Sequence, residues 1–146
     1  MEVNKIYNGD ILEMFKKTPA NFVDLIVTSP PYNVGIEYDE WDDKMKSNDY
    51  YNWCKEWLRH CFRTLKEDGR IAINIPYEVN MYDQGGRQFI SSEYWQIMKD
   101  IGFKFFGVAH LNEPASHRPK TTAWGSWMSA SGPSIHNVHE CVILAY

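Results

Sequence analysis

The chain has 146 residues, of which 44% are apolar and 23% are charged, and its formal net charge is −4. This balance is typical of one globular domain, and it lacks the basic excess that nucleic-acid binders usually carry. Residues 101–146 hold only two acids, so any contact with a polyanion is expected there, with an uneven but solvated surface as the alternative. No apolar run approaches the ~20 residues of a membrane span, and the N-terminus has no apolar signal core, so neither a membrane protein nor a secreted one is predicted.

The spacing of the cysteines and histidines argues against two further classes of protein, those held by disulfides and those that bind a metal. Cys54, Cys61 and Cys141 are odd in number and form no CxxC pair, which predicts free thiols in a cytoplasmic protein. The three cysteines and five histidines also lack any metal-ligand spacing, so no metal is predicted.

The first elements along the chain are a short helix and a strand. Asp10 is placed to cap a helix over Ile11–Lys17, and Thr18-Pro19 ends it. Val23–Thr28 then reads as a strand, and its nearly continuous apolar run predicts that both of its faces are covered.

The clearest element is an amphipathic helix over Tyr50–Lys66, after a polar loop from Glu37 to Asp49. Its apolar residues recur at the i, i+3, i+4 spacing of a helix with one buried face. Ser47 or Asn48 is a candidate cap at its start, and Gly69 stands where a glycine often follows a helix.

The second half of the chain continues the alternation of strands and helices. Arg70–Ile75 predicts a strand, Ser91–Ile101 a helix followed by Gly102, and Phe103–Ala109 and Cys141–Tyr146 two more strands. This alternation predicts an α/β fold with a mostly parallel sheet. Ligands of such sheets bind beyond the carboxyl ends of the strands.

A rigid tetrapeptide, Ser29-Pro30-Pro31-Tyr32, stands at the carboxyl end of the first predicted strand. The prolines fix their own φ and bias the preceding residues toward extended backbone, so the carbonyls of Ser29 and Pro30 are held in place. The hydroxyl of Ser29 adds an acceptor, and Tyr32 adds a flat ring. Together they are suited to a planar group that carries an NH₂, such as cytosine, adenine or a glutamine amide.

In its motifs the sequence resembles the DNA amino-methyltransferases, which methylate N4 of cytosine or N6 of adenine with S-adenosylmethionine. The tetrapeptide alone is a weak signal, but it lies at a strand end with a Gly-Asp motif upstream, and the resemblance covers nearly the whole chain. The matching residues are Asn8-Gly9-Asp10, Val23-Asp24-Leu25-Ile26-Val27, Thr28-Ser29-Pro30-Pro31-Tyr32-Asn33, Gly69-Arg70-Ile71-Ala72-Ile73-Asn74, and Thr122-Ala123-Trp124-Gly125-Ser126-Trp127 through His139-Glu140.

The resemblance implies a partial Rossmann-like, S-adenosylmethionine-dependent methyltransferase sheet with flanking helices, and a base flipped out of DNA. The catalytic residues it implies are Ser29, Pro30, Pro31 and Tyr32. The residues it implies near the cofactor are Asp10, Thr28 and Ser29, although Asp10 has helix capping as a sufficient role. Those it implies near the base or DNA are Tyr32, Asn33, Trp124, Trp127 and Ser129, of which the last three lie in a long loop and have core packing as their alternative.

The acceptor is left open by the residues. Ser at position 29 favours N4 of cytosine, whereas the family's adenine enzymes more often carry Asp there. Methylation of RNA bases or glutamine amides, usually with Asn in place of Ser29, is one alternative, and an inactive binding module is another. A nucleotide-phosphate enzyme is excluded by the lack of a glycine-rich phosphate loop.

One expected segment is not found in the chain. The family needs a Phe-x-Gly-x-Gly-type turn beside the methionine part of the cofactor, and the chain has no G-x-G. Residues 1–146 are therefore predicted to be the catalytic half of a methyltransferase domain: a fragment, one subunit of a split enzyme, or a remnant, of which a fragment is favoured. The expected partners are DNA and a second chain or homodimer partner on the open sheet. Weak cofactor binding by the chain alone is expected.

Overall fold

The computed structural model of the chain describes residues 2–39, 41–81, 83–84, 86–112 and 139–146. Trp124, Trp127 and Ser129 lie outside these residues. The helices and strands are α1 (Ile11–Lys17), β1 (Val23–Thr28), α2 (Ser47–Thr64), β2 (Leu65–Pro76), α3 (Ile90–Ile101), β3 (Phe105–Asn112) and β4 (His139–Ala145).

The strands form one four-stranded sheet in the order β1-β2-β4-β3. β1 pairs with β2 in parallel, ending at Thr28↔Ile73, whereas β4 pairs antiparallel with both β2 and β3. The α/β class is confirmed, but the prediction of a mostly parallel sheet is wrong. Parallel neighbours need a long crossover, usually a helix, and the sequence predicts no helix between β3 and β4.

The hydrophobic core lies on one face of the sheet, under α2 and α3. Every second residue of β2 points into it, and Ile71, Ile73 and Ile75 are each 0% exposed. The helices contribute the fully buried side chains Tyr50, Cys54, Leu58, Tyr94 and Met98. Burial of this apolar surface is the main stabilising contribution to the fold.

The opposite face of β1 is open, which contradicts the predicted cover on both faces. Leu25 is 58% exposed and Val27 is 72% exposed. Within the described residues β1 pairs only with β2, so it is an edge strand of this sheet. The apolar run indicated correctly that β1 is a strand, but burial of its second face needs a cover that the described residues do not provide.

The ends of α2 also differ from their prediction. The helix starts at Ser47, after Lys46, and Lys46 makes no side-chain cap. Asp83 replaces the predicted cap: its carboxylate accepts from the Ser47 N–H at 2.7 Å and from the Ser47 hydroxyl. Gly69 does not follow the helix, because the chain passes directly from Thr64 into β2. The predictions for α1, capped by Asp10, and for Gly102 after α3, with φ +121°, are confirmed.

None of the described helices is long and apolar enough to cross a membrane. Among the same residues, no three His, Cys, Asp or Glu side chains are grouped so that they could hold a metal ion.

The three cysteines are free and buried. Burial raises the pKa of the Cys54 thiol to about 11 and that of Cys61 to about 12. In the unfolded chain a thiol has a pKa of roughly 8.5, so the unfolded state releases protons first as the pH rises. The stabilising contribution is therefore complete below about pH 8 and is lost at higher pH.

We expect the free energy of unfolding to fall by about 2–3 kcal/mol between about pH 8 and pH 9.5, because the Cys54 and Cys61 thiols ionise only in the unfolded state. Burial raises the pKa of Cys141 as well, which adds to the fall. Urea titrations across this range measure it. Cys61→Ala removes one of these groups and should reduce the pH dependence by about a third to a half. An unchanged slope in this variant would assign the effect to other groups.

Candidate active site

The tetrapeptide Ser29–Tyr32 directly follows β1 and lies beside the end of β2. The hydroxyl groups of Ser29 and Tyr32 are 2.7 Å apart, and Tyr32 Oη donates to the Asn74 carbonyl at 3.3 Å. Tyr32 is half-buried, while Ser29 is exposed. The tyrosine is thus fixed at its hydroxyl end, and the serine stays accessible.

The three carbonyls of the tetrapeptide differ in their partners. The Pro31 carbonyl accepts a hydrogen bond from Tyr50 Oη at 2.7 Å. The β1–β2 ladder ends at Thr28, and no donor among the described residues contacts the carbonyl oxygen of Ser29 or Pro30. Two main-chain acceptors at the strand end, one on the exposed Ser29 and one on the buried Pro30, are therefore without a donor among the described residues.

A buried chain of polar groups holds the Pro31 carbonyl. Tyr50 Oη and Tyr94 Oη are 2.8 Å apart, and Cys54 Sγ donates to Tyr94 Oη at 3.2 Å. Tyr50 and Tyr94 are 0% exposed, and burial raises the pKa of both phenols far above the ordinary value. Both hydroxyls stay protonated, so α2 and α3 together anchor the tetrapeptide.

Tyr50→Phe should lower the free energy of unfolding by about 1–2 kcal/mol, because it leaves the Pro31 carbonyl and the Tyr94 hydroxyl each short of a partner. Chemical denaturation measures the loss. Tyr51→Phe is the matched control, since Tyr51 Oη contacts the weak acceptor Met81 Sδ, at 3.4 Å. Equal losses in the two variants would contradict an anchoring role.

Asn33 follows the tetrapeptide and takes a structural position. Its backbone has φ +59°, a left-handed conformation that Asn tolerates better than most residues. Its side chain is 0% exposed. Asn33 Nδ2 donates to the Met45 carbonyl and Asn33 Oδ1 accepts from the Met45 N–H, each at 2.8 Å. The predicted contact of Asn33 with a substrate stays a prediction, and in this structure its amide faces protein.

Asp43 organises the same turn from the far end of the loop. Its carboxylate is 2% exposed and accepts the N–H groups of four consecutive residues, Asn33 to Ile36, at 2.9–3.0 Å. Sequence analysis missed this residue, since Asp43 is one of several acids in a polar stretch. The exposed Asp42 next to it accepts the Lys44 N–H.

A cavity of 390 Å³ adjoins the tetrapeptide on the helical side of the sheet. It is open to solvent at one side, and its walls include Ile11, Phe15, Thr28, Ser29, Trp53 and Trp57. This volume is within the range of small-molecule sites. Thr28 and Ser29, for which a place near the cofactor is predicted, lie in its wall. Asp10 is next to Ile11, but its carboxylate caps α1 by accepting from Leu12 and Glu13 at 3.0 and 3.1 Å.

A hydrogen-bonded pair of polar side chains, Asn74 on β2 and Glu140 on β4, lies next to the Tyr32 hydroxyl. Asn74 Nδ2 donates to Glu140 Oε2 at 2.7 Å and lies 3.5 Å from Tyr32 Oη. Asn74 Oδ1 is buried, and it has no hydrogen-bond partner among the residues that the structure describes. Burial raises the pKa of Tyr32, its hydrogen bond with Ser29 opposes the rise, and the Glu140 charge adds to it.

Comparison with known proteins assigns this architecture to a family. The family model N6_N4_Mtase, described as DNA methylase, matches residues 23–146. The chain belongs to the DNA methylase family. The Type II methyltransferase M.MjaVI of Methanocaldococcus jannaschii is 40% identical over 141 residues, which cover 97% of this chain and 69% of that protein.

Solved structures have the same fold as this DNA methylase. The PvuII DNA methyltransferase, which is cytosine-N4-specific, matches with a TM-score of 0.68 at 18% identity, covering 95% of this chain and 47% of that one. A DNA modification methylase of Thermus thermophilus, in complex with S-adenosyl-L-methionine, matches with a TM-score of 0.65 at 20% identity, over 94% and 50% of the two chains. These likenesses confirm the Rossmann-like methyltransferase fold. The chain spans about half the length of each solved relative.

In this DNA methylase the predicted residues Thr28, Ser29, Pro30, Pro31 and Tyr32 are brought together at one strand end. Asp10 lies one residue from the cavity wall, and Asn33 is turned away from it. Sequence analysis missed Tyr50, Asp43 and Glu140 as partners of the site. Only Asn74 gave a signal, because it lies near the carboxyl end of the neighbouring strand.

Proposed function

We propose that the chain is the target-amine half of an S-adenosylmethionine-dependent DNA methyltransferase that modifies the exocyclic amine of a flipped base, with N4 of cytosine favoured. One observation carries the proposal. Two main-chain carbonyls without donors among the described residues and the exposed Ser29 hydroxyl surround a strand end, beside the fixed ring of Tyr32.

The acceptors suit the chemistry of an exocyclic amine. The lone pair of such an amine is delocalised into the ring, so the nitrogen is a poor nucleophile. Acceptors directed at both N–H groups, from Ser29 Oγ and the Pro30 carbonyl, favour a pyramidal nitrogen and stabilise the positive charge that develops on it. Tyr32 offers a face on which the flipped base stacks, which sets the approach of the amine.

The cavity beside Ser29 suits a sulfonium cofactor. The aromatic rings of Trp53, Trp57 and Phe15 and the nearby main-chain carbonyls attract a cation without neutralising it. S-adenosylmethionine, when bound, supplies the electrophilic methyl group. In the proposal Thr28 and Ser29 hold the cofactor at the strand end, and Asp10 lies near its adenosine.

DNA is the proposed polymer, in line with the family, and the names of the relatives favour a Type II restriction-modification system. Ser29 favours cytosine, and N6 of adenine is the alternative. Trp124, Trp127 and Ser129 stay predictions as base or DNA contacts.

The exposed face of β1 supports the proposal that this chain acts together with a further polypeptide segment that covers this face. Leu25 and Val27 present apolar surface to solvent, and apolar surface of this kind is usually covered in the active assembly. The relatives are longer than this chain, so the cover we propose is the rest of such a protein, or a second chain. The chain alone should then bind S-adenosylmethionine weakly, and micromolar affinity in calorimetry would contradict this.

The test is methyl transfer by the protein as its gene encodes it. It is incubated with S-adenosylmethionine carrying a labelled methyl group and with DNA, RNA or protein, and the digested products are identified by mass spectrometry. N4-methylcytosine in DNA is the expected product. N6-methyladenine would correct the base alone, whereas label only in RNA or in glutamine, or no transfer at all, would contradict the proposal.

A further inference from the structure

Glu140 and Asn74 form a polar connection from β4 to the tetrapeptide. Glu140 Oε2 accepts from Asn74 Nδ2 at 2.7 Å, and the same Nδ2 lies 3.5 Å behind Tyr32 Oη. The Tyr32 hydroxyl is 2.7 Å from Ser29 Oγ. Four side chains from three strand ends therefore lie in one row that finishes at the exposed serine.

The Asn74 amide is held in one orientation by the carboxylate. An ionised Glu140 accepts hydrogen bonds only, so it requires the NH₂ group and not the carbonyl of the amide. The consequence is visible in Asn74 Oδ1, which is buried with no hydrogen-bond partner in the described part of the chain. A buried acceptor without a partner costs free energy, so an orientation that leaves one in place is imposed by its surroundings.

The two groups of Asn74 around Tyr32 Oη together determine where the hydroxyl protons lie. Tyr32 Oη faces a donor, Asn74 Nδ2, and a carbonyl, Asn74 O, at 3.3 Å. A carbonyl cannot donate, so the Tyr32 proton satisfies it, and the tyrosine oxygen then accepts from Ser29. The reverse direction, with Tyr32 donating to Ser29, leaves the Asn74 carbonyl facing the tyrosine oxygen without a proton between them.

We infer that Glu140 and Asn74 are positioning residues: the amide donor that Glu140 holds toward Tyr32 Oη, together with the Asn74 carbonyl that takes the tyrosine proton, fixes the place of this hydroxyl as the acceptor of the Ser29 proton, so that both lone pairs of Ser29 Oγ are free to accept an N–H of the target amine. The inference rests on the proposed function for its last step. The hydrogen-bond row itself does not depend on that function. Through Glu140, β4 takes part in the proposed reaction, although neither Glu140 nor Asn74 contacts the proposed substrate.

The test is a pair of variants at the row and one away from it. Glu140→Gln keeps the size of the side chain but no longer dictates the amide orientation, and Asn74→Ala removes the amide. We expect each to lower kcat by about tenfold, with the KM for S-adenosylmethionine changed by less than about twofold, because each loses transition-state contacts only. Glu67→Gln, an exposed acid on the same sheet, should change neither.

A double-mutant cycle separates positioning from general damage. If Glu140 acts through Ser29, Glu140→Gln should change the rate by less than about twofold in a Ser29→Ala background. A further tenfold loss there would overturn the inference, as would wild-type kcat in both single variants.

A titration of Tyr32 tests the hydrogen-bond row without an activity assay. The Glu140 charge contributes to the raised pKa of Tyr32, so Glu140→Gln should lower this pKa, whereas Glu67→Gln should not. The readout is carbon NMR of ring-labelled tyrosine, with the Tyr32 signal assigned by Tyr32→Phe. An unchanged Tyr32 pKa in Glu140→Gln would overturn the inference. Absence of methyl transfer by the wild-type protein would instead reject the proposed function, and the titration would still decide on the row.

Discussion

Ser29→Ala should lower the rate of methyl transfer to DNA by about 10²–10³-fold, the range seen when one donor or acceptor of a preorganised site is removed. The loss belongs in kcat, because the Ser29 hydroxyl contacts the amine most strongly as positive charge develops on it. Single-turnover assays with labelled S-adenosylmethionine measure the step directly. The free energy of unfolding should change by less than about 0.5 kcal/mol, since Ser29 is exposed.

Two variants make this result specific to the hydroxyl. Ser92→Ala makes the same change at an exposed position in the first turn of α3, away from the tetrapeptide, and should keep the wild-type rate. Ser29→Asp supplies a carboxylate acceptor in the same place, and it should retain more activity than Ser29→Ala. Wild-type kcat in Ser29→Ala would remove the serine from the proposed mechanism and leave only the main-chain carbonyls.

Local signals in the sequence predicted the elements that local interactions determine. The Asp10 cap needs only donors two and three residues away, and the rigid Ser29–Tyr32 turn follows from the covalent geometry of proline. For the same reason the strand preceding the turn was placed with its correct bounds, Val23–Thr28. The fixed backbone of the tetrapeptide and the exposed Ser29 hydroxyl could therefore be anticipated from the sequence.

Contacts between distant residues were beyond this reasoning. Asp83 takes over the start of α2 from 36 residues away, and Glu140 reaches Asn74 across 66 residues. Neither acid differs in composition or spacing from a solvated surface acid. The parallel or antiparallel sense of β4 also depends on the path of the chain between strands, not on the strand's own residues. The tetrapeptide was therefore predictable from the sequence, whereas the buried network that holds it was not.

Asp43→Ala should lower the free energy of unfolding by about 3–5 kcal/mol, because it leaves the N–H groups of Asn33, Val34 and Ile36 without their acceptor in a poorly exposed turn. The Gly35 N–H keeps the main-chain carbonyl of residue 43, at 3.0 Å. A carboxylate that accepts from four consecutive residues has no substitute among the side chains that the structure describes around this turn. Asp43→Asn should be nearly as damaging, since Oδ2 alone accepts three of these bonds and an amide NH₂ in its place would face three donors.

The same change one residue away provides the control for Asp43. Asp42→Asn affects an exposed carboxylate that accepts one main-chain N–H, and its cost should stay below about 0.5 kcal/mol. Urea denaturation of the three variants measures the difference, and methyl transfer follows whether the tetrapeptide keeps its place. Because Asn33 starts both the turn and the hydrogen bonds to Met45, loss of Asp43 should release the segment that follows Tyr32 and so lower activity at temperatures where the chain is still folded. Equal stability of the Asp43 and Asp42 variants would mean that the turn is held without the carboxylate, by the Asn33–Met45 bonds and the main-chain bond from Gly35 to residue 43.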